Sequence, residues 1–501
     1  MSKPIKKIII AGGGTAGWMT AAALSKLMGD SLDITLVESE QIGTVGVGEA
    51  TIPTLIFFHR LLGIDEAEFL TATQATYKLG IRFENWRRVG HQYLHGFGVT
   101  GRDCWACGFQ HFWLRARQLG IAGDFGEYCL ERRAAEAGKF SHLPNNGLNY
   151  AFHFDASLYA KFLRQFSGRH GAKRVEGKID QVKVNPDNGH ISSLKLDNGD
   201  ELDGDFFIDC TGMRALLIEK TLHTGFESWS HWLPCDGAVA VQTEAVEPPR
   251  PYTRSIARES AWQWRIPLQH RVGNGLVFAS SYQSDDAACH QLAENIAGVP
   301  LTDPRLIKFQ TGRRRKQWHK NCLAVGLSSG FLEPLESTSI HLIQQNIVRF
   351  LRLFPHREIS QVAVDTFNRE AEFDMERIRD FIILHYKVTE RDDTEFWRYC
   401  RNMRIPDTLS AKIDLFRETG HVNRDGNELF VDSWQQVMFG QGLVPERYHP
   451  LVDVMSEEEL RGFIQQVSQQ IDGSMSQLKD HHEYLMDTLQ KKAVAGVGAL
   501  S

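Results

Sequence analysis

Ile8-Ile9-Ile10-Ala11-Gly12-Gly13-Gly14-Thr15-Ala16-Gly17 is the stretch that decides the fold. Ile8 to Ala11 is a short apolar run suited to a strand buried on both faces. Gly12-x-Gly14-x-x-Gly17 follows at once, and Trp18 to Met28 is rich in Ala, Leu and Met, which suit a helix. Leu32 to Glu38 then alternates as a second strand would and ends in an acid. In this setting the glycines let backbone approach a pyrophosphate seated on the helix N-terminus. Thr15 and Ala16 lie inside the same turn, and Glu38 stands about where an acid binds ribose hydroxyls. The reading is an α/β dinucleotide-binding fold. Lys3, Lys6 and Lys7 before the isoleucines give a superficial leader-like look, but the glycines break the apolar run, so the expectation is a cytoplasmic protein that keeps this segment.

Composition limits the rest. The chain has 501 residues, 42% hydrophobic and 24% charged, with a net charge of −6. Disorder throughout is excluded, and nothing favours nucleic acid as a partner. No apolar run approaches a membrane span. Eight scattered cysteines do not make a secreted disulfide scaffold. Cys104-Trp105-Ala106-Cys107 with His111 lacks the second half of a zinc site, so no metal is expected.

Further along, residues 55–62 are apolar, 65–75 read as a helix and 77–86 as a strand. Residues 90–150 read as irregular and aromatic, and 151–166 as helical. Asn188-Gly189 and Asn198-Gly199 mark hairpins. Residues 205–212 form an apolar strand closing on Asp209-x-Thr211-Gly212, which resembles the second FAD-contacting segment of flavin monooxygenase-type proteins. Beyond 340 helices dominate, with a capping box at Ser456 and Glu459 and apolar residues at helical spacing from Leu460 to Ile471. Residues 493–501 read as frayed. The division expected is a cofactor module over 1–395, with an insertion at about 90–150, and a helical substrate module over 396–501.

Several further motifs carry a resemblance. Trp262-Gln263-Trp264-Arg265-Ile266-Pro267 has a WxWxIP form. Phe331-Leu332-Glu333-Pro334-Leu335-Glu336-Ser337-Thr338-Ser339 is a compact loop. Gly48-Glu49-Ala50-Thr51-Ile52-Pro53 follows Val45-Gly46-Val47, and Thr76-Tyr77-Lys78-Leu79-Gly80 carries a lysine. Together with Tyr150 to Ala156, these segments resemble the flavin-dependent halogenases typified by the tryptophan halogenases.

The resemblance implies a Rossmann-like FAD module of the flavin monooxygenase type. Its FAD contacts would come from Gly12, Gly14, Thr15, Ala16, Gly17, Glu38, Ala50, Asp209, Gly212 and Leu335. Without a second GxGxxG, reduced flavin would come from a separate reductase. The implied reaction uses O2 and chloride or bromide to make hypohalous acid, which Lys78 delivers to an electron-rich aromatic, with an indole as the reading. Hydrogen-bonded hypohalous acid and a haloamine both remain open at Lys78. Glu336 would stabilise the substrate cation, with Glu333 read as loop structure. The backbone N–H groups of Thr338 and Ser339 would hold halide. Trp262, Trp264, Ile266, Pro267 and Ser337 would line or shape the tunnel, and the two tryptophans would wall flavin from substrate.

The sequence departs from the family at two places. Glycine usually stands where Ser339 does, which bears on halide preference. The adjacent tyrosines that clamp free tryptophan are absent; Trp397 and Trp434 stand in the corresponding regions, as stacking or core residues. His111-Phe112-Trp113 falls where the family stacks its substrate. An aromatic hydroxylase and a non-catalytic flavin-binding relative remain as alternatives, and a homodimer is left open.

Overall fold

A computed structural model of the chain describes residues 4–42, 48–144, 147–423 and 429–498. The chain forms two compact units, each from three segments: residues 1–75, 154–236 and 308–376 in the first, and 76–153, 237–307 and 377–501 in the second. The helical end beyond 396 therefore shares its unit with two earlier stretches. That unit's last segment starts at Arg377, inside the 27-residue helix Gln361–Lys387.

The first unit is built on a six-stranded sheet in the order Trp318–His319, Cys322–Ala324, Phe206–Asp209, Lys7–Ala11, Asp33–Glu38, Lys173–Glu176. All neighbours are parallel except the terminal hairpin of Trp318–His319 with Cys322–Ala324. Ile8 and Ile10 are fully buried, as a strand covered on both faces requires. Helix Thr15–Met28 follows the glycine turn. A three-stranded meander, Ile179–Val184, Ile191–Leu196 and Glu201–Asp203, turns at the two expected hairpins.

The second unit is built on a seven-stranded sheet in the order Arg305–Lys308, Gly237–Thr243, Val272–Phe278, Ala261–Pro267, Thr253–Ala257, Gly80–Glu84, Gln92–Gly96. Helices Glu395–Asn402, Asp407–Thr419, Val431–Gly440 and Glu457–Met475 belong to the same unit. The Ser456 capping box forms with both of its hydrogen bonds, and Leu460, Phe463, Ile464, Val467 and Ile471 are buried. They pack with Phe109, Phe112 and Trp113 in one apolar cluster.

Four local expectations need correction. Residues 77–86 are two strands, Thr76–Lys78 and Gly80–Glu84, parted at Leu79, whose N–H donates to the Pro251 carbonyl. Residues 90–150 hold strand Gln92–Gly96 and helices Phe109–Gln118 and Leu130–Glu136. Residues 151–155 are a strand, and the helix begins at Ala156 because Asp155 caps it, accepting from the Ser157 and Leu158 N–H groups. The last helix continues to Gly498, and the final three residues lie outside the described residues.

Candidate active site

In the first unit the glycine turn divides its labour. A Cβ at Gly12 would strike the Cys210 carbonyl, and one at Gly17 would strike the Gly12 carbonyl, so these two bring backbone segments together. A Cβ at Gly14 would meet nothing within 4 Å. Gly14 is also the N-cap of the following helix, with no side-chain cap, leaving an open cradle at a positive helix end. Gly212, at φ 70°, likewise faces open space. Two backbone turns with room in front of them fit the phosphates of a dinucleotide such as FAD.

Glu38, at the end of its strand, accepts from Trp18 Nε1 at 3.3 Å and Arg174 Nε at 2.5 Å. The carboxylate expected to meet ribose is thus already held by Arg174 and Trp18. Asp209 lies in the second turn, where backbone was expected to approach the cofactor. Its carboxylate is fully buried and accepts from the backbone N–H groups of Thr211, Leu217 and Ile218 and from the Thr211 hydroxyl. It shapes the turn that carries Gly212. Ala50, in the short strand Gly48–Ala50, is buried, and burial pushes the neighbouring Glu49 carboxyl up to about 7. Val45, Gly46 and Val47 lie outside the described residues.

The loop from 326 to 339 packs beside the glycine turn. Gly326 leaves room for Ala16, since a Cβ there would come within 2.7 Å of the Ala16 methyl, and the Val325 N–H donates to the Asp209 carbonyl. Leu335 and Glu336 lie in a 3-10 turn, and Glu333 and Glu336 are both fully buried. Ser337 takes a left-handed conformation at φ 59°, which turns the chain into helix Ser339–Arg352. Thr338 is the N-cap of that helix and Ser339 its first residue, and Thr338 supplies no side-chain cap. Their N–H groups therefore belong to a 14-residue helix's positive end. One turn on, His341 bonds the Thr54 hydroxyl, and burial lowers its pKa to about 3.

In the second unit Lys78 is fully buried, which overturns the ordinary reading of a strand lysine as exposed. Strand Thr76–Lys78 pairs antiparallel with Ala151–His153, with Thr76 opposite His153 and Lys78 opposite Ala151. Thr76, Lys78 and His153 thus share a face. The Thr76 hydroxyl donates to the Pro267 carbonyl at 2.8 Å, tying this strand to the end of the WxWxIP strand. It therefore accepts from His153 Nδ1, while His153 Nε2 accepts from Thr253. The ring is neutral: burial, and then the Lys78 charge, hold its pKa well below the ordinary value.

Lys78 Nζ lies 5.1 Å from the Phe97 ring centre, a cation–π contact. The Phe97 N–H donates to the Leu79 carbonyl. The residues flanking Phe97 are held by Gln436, whose Oε1 accepts from the Gly96 N–H at 2.8 Å and whose Nε2 donates to the Gly98 carbonyl at 2.9 Å. Sequence reasoning missed Phe97, His153 and Gln436. The alternation of Thr76 and Lys78 was the available signal, but their partners lie far off in sequence.

Trp262 and Trp264 project from one face of strand Ala261–Pro267 with ring centres 6.0 Å apart. Trp264 fits over Gly275, where a Cβ would collide with the indole. Ile266 is buried beside them, and Pro267 receives the Thr76 bond. His111, Phe112 and Trp113 differ from the stacking expectation, because all three are buried and the two aromatics sit inside the apolar cluster. Trp397 and Trp434 are core residues too. Trp397 donates to the Arg258 carbonyl and lies against Trp86, while Trp434 packs on Phe381 under Lys412. Among the described residues no group of His, Cys, Asp or Glu is arranged to hold a metal, and no helix is long and apolar enough to cross a membrane.

Comparison with known proteins bears on the residues of both units. Residues 7–457 match the family model described as tryptophan halogenase. Tryptophan 7-halogenase RebH of Lentzea aerocolonigenes is 34% identical, the match covering 98% of each chain. The solved structure of Xcc4156, a flavin-dependent halogenase from Xanthomonas campestris, is 55% identical with a TM-score of 0.96, covering 97% of this chain and 99% of that one. BrvH, a flavin-dependent halogenase from Brevundimonas sp. BAL3, is 44% identical with a TM-score of 0.93, at 97% and 99% coverage. The glycine turn, the WxWxIP strand and the 331–339 loop all lie within the matched span, and the chain belongs to the tryptophan halogenase family as an FAD-dependent aromatic halogenase.

Proposed function

We propose that the protein halogenates an indole, or an arene of similar electron density, rather than free tryptophan, and takes chloride or bromide. The observation that carries this reading is Lys78, an ammonium group held with no solvent exposure against the Phe97 ring. A side chain this costly to bury is one whose charge the site uses.

Reduced FAD, when bound, supplies with O2 the oxidising power that turns halide into hypohalous acid, and a separate reductase supplies the reduced flavin. The N–H groups of Thr338 and Ser339 hold the halide, as the N-terminal end of a helix holds an anion. The Lys78 ammonium donates to hypohalous acid and orients its halogen toward the arene. Glu336 stabilises the ring cation and assists removal of its proton. The Trp262 and Trp264 rings keep the arene from the flavin. Tryptophan carries a zwitterion that needs partners for both charges. The chain has no adjacent tyrosine pair, and Trp397 and Trp434 are packed into the core. An arene without the amino-acid head fits better. Free cysteines suit a reducing compartment, and we place the enzyme in the cytoplasm.

The test incubates the protein with FAD, a flavin reductase, NADH, air, bromide and indole, beside Lys78→Ala. Bromoindole from the wild type and none from the variant is the expected result. Equal yields from both would remove Lys78 from the reaction, and hydroxyindole without halide would establish the hydroxylase alternative.

A further inference from the structure

Cys104 and Cys107 face each other across a two-residue turn. The Cys104 N–H donates to the Cys107 carbonyl at 3.1 Å, and the Cys107 N–H donates to the Cys104 carbonyl at 3.0 Å. The two residues form an antiparallel bridge. Residues that exchange both bonds in this way stand with Cα atoms about 5.5 Å apart, inside the roughly 4.4–6.8 Å that a disulfide spans. Directly opposed residues also send their side chains to the same face. Cys107 belongs to the apolar cluster of Phe109, Phe112 and Phe463, and Cys104 packs against that same cluster. Trp105 closes the turn at φ 53° while 57% exposed, an uncommon conformation for a bulky side chain. The turn thus holds two free cysteines in register, Cys107 buried and Cys104 partly exposed.

We propose that Cys104 and Cys107 form a reversible disulfide that consumes hypohalous acid escaping the halogenation reaction. The identity of the oxidant rests on the function proposed above; the pairing rests on the hairpin alone. Cys104 is the more exposed of the two, and burial raises the Cys107 thiol. Cys104 reacts first: its sulfur attacks the halogen of hypohalous acid, forming a sulfur–halogen bond, breaking the oxygen–halogen bond and releasing hydroxide. The Cys107 sulfur then attacks the Cys104 sulfur, forming the disulfide and expelling halide. Two thiols and one hypohalous acid give one disulfide, one halide, one proton and one water, and the halogen takes up the two electrons. A neighbouring thiol that resolves the first product stops the sulfur short of irreversible oxidation. Cys289, which also has some exposure, serves as the internal comparison.

The test titrates the protein with hypochlorous acid and, separately, with diamide. It then quenches in acid, alkylates, digests and weighs the peptides. At one equivalent the peptide carrying Cys104 and Cys107 is expected to be unalkylated and two hydrogens lighter, with both thiols restored by dithiothreitol. In Cys107→Ser, Cys104 is expected to halt as a sulfenic acid that dimedone captures. Two thiols still alkylated while Cys289 is oxidised, or a wild-type Cys104 driven to sulfinic acid, would overturn the pairing. A second arm runs turnover with chloride and no arene. Disulfide is expected there and is expected to fall when indole is added. Halogenated product with indole, but no disulfide without it, would overturn the oxidant. A failure to halogenate indole while the titration still closes the disulfide would count against the reading of the active site and support the pair.

Discussion

Ser339 stands at the first position of its helix, and the left-handed residue of that loop is Ser337 instead. The backbone freedom of glycine is therefore not needed at 339, and what serine adds there is a side chain beside the N–H groups proposed to hold halide. Ser339→Gly is expected to fold normally, to cost at most about 1 kcal/mol, and to shift the ratio of chlorinated to brominated product when both halides compete. A second residue-scale prediction concerns Gln436. Removing its amide leaves the Gly96 N–H and Gly98 carbonyl without that partner in a buried setting, at about 1–3 kcal/mol for each unsatisfied group. Gln436→Ala should lower the melting temperature and, by loosening Phe97 over Lys78, depress product yield per reduced flavin consumed. The glycine turn, Lys78 and Glu336 were legible as motifs. Phe97 and His153 were not, because a contact between 78 and 97, or between 76 and 153, leaves no trace in local spacing. The direction of the Asp209 carboxylate was not legible: an acid at a strand end reads the same whether it faces a ligand or its own loop.

Elements with their own punctuation were the readable ones. The Ser456–Glu459 box marked a helix start, and the structure forms both bonds of it. Ser456→Ala should therefore cost about 1 kcal/mol in urea unfolding, whereas Leu460→Ala, in the cluster that this helix shares with Phe109–Gln118, should cost about 2–5 kcal/mol. Stretches whose boundaries depend on distant partners were harder. Ala151–Asp155 has the apolar content of the helix it precedes, and Asp155 is the signal that separates the two. The region from 90 to 150 looked irregular because its elements are short and its aromatics serve a core completed by residues beyond 450.

At the scale of the molecule, buried histidines set the response to acid. Burial lowers His59 and His341 to about 3, and His111 and His481 to about 4. In the unfolded chain these rings titrate near 6.5, so between that value and the folded ones the unfolded state binds more protons. Their contribution is complete above about pH 6.5 and is lost as pH falls. Glu131 and Glu49, raised to about 7, act in the opposite sense and lose their contribution as pH rises through that value. Burial also holds His153 well below the ordinary value and raises Asp209 and Asp374, and the lowered rings still outnumber the raised carboxyls, which makes acid the destabilising side. The melting temperature should drop from about pH 6.5 to about pH 5, and His59→Gln should reduce that drop. The six alternating segments that build the two units carry a different consequence, for the newborn chain. Lys7–Ala11 is synthesised well before its sheet neighbours: Phe206–Asp209 follows some two hundred residues later, and Cys322–Ala324 later still. Neither unit is complete until translation has passed residue 376 for one and the helix His481–Gly498 for the other. Nascent strands with unpaired edges therefore wait in the open, which makes slow synthesis, low temperature and chaperone supply the conditions that govern soluble yield.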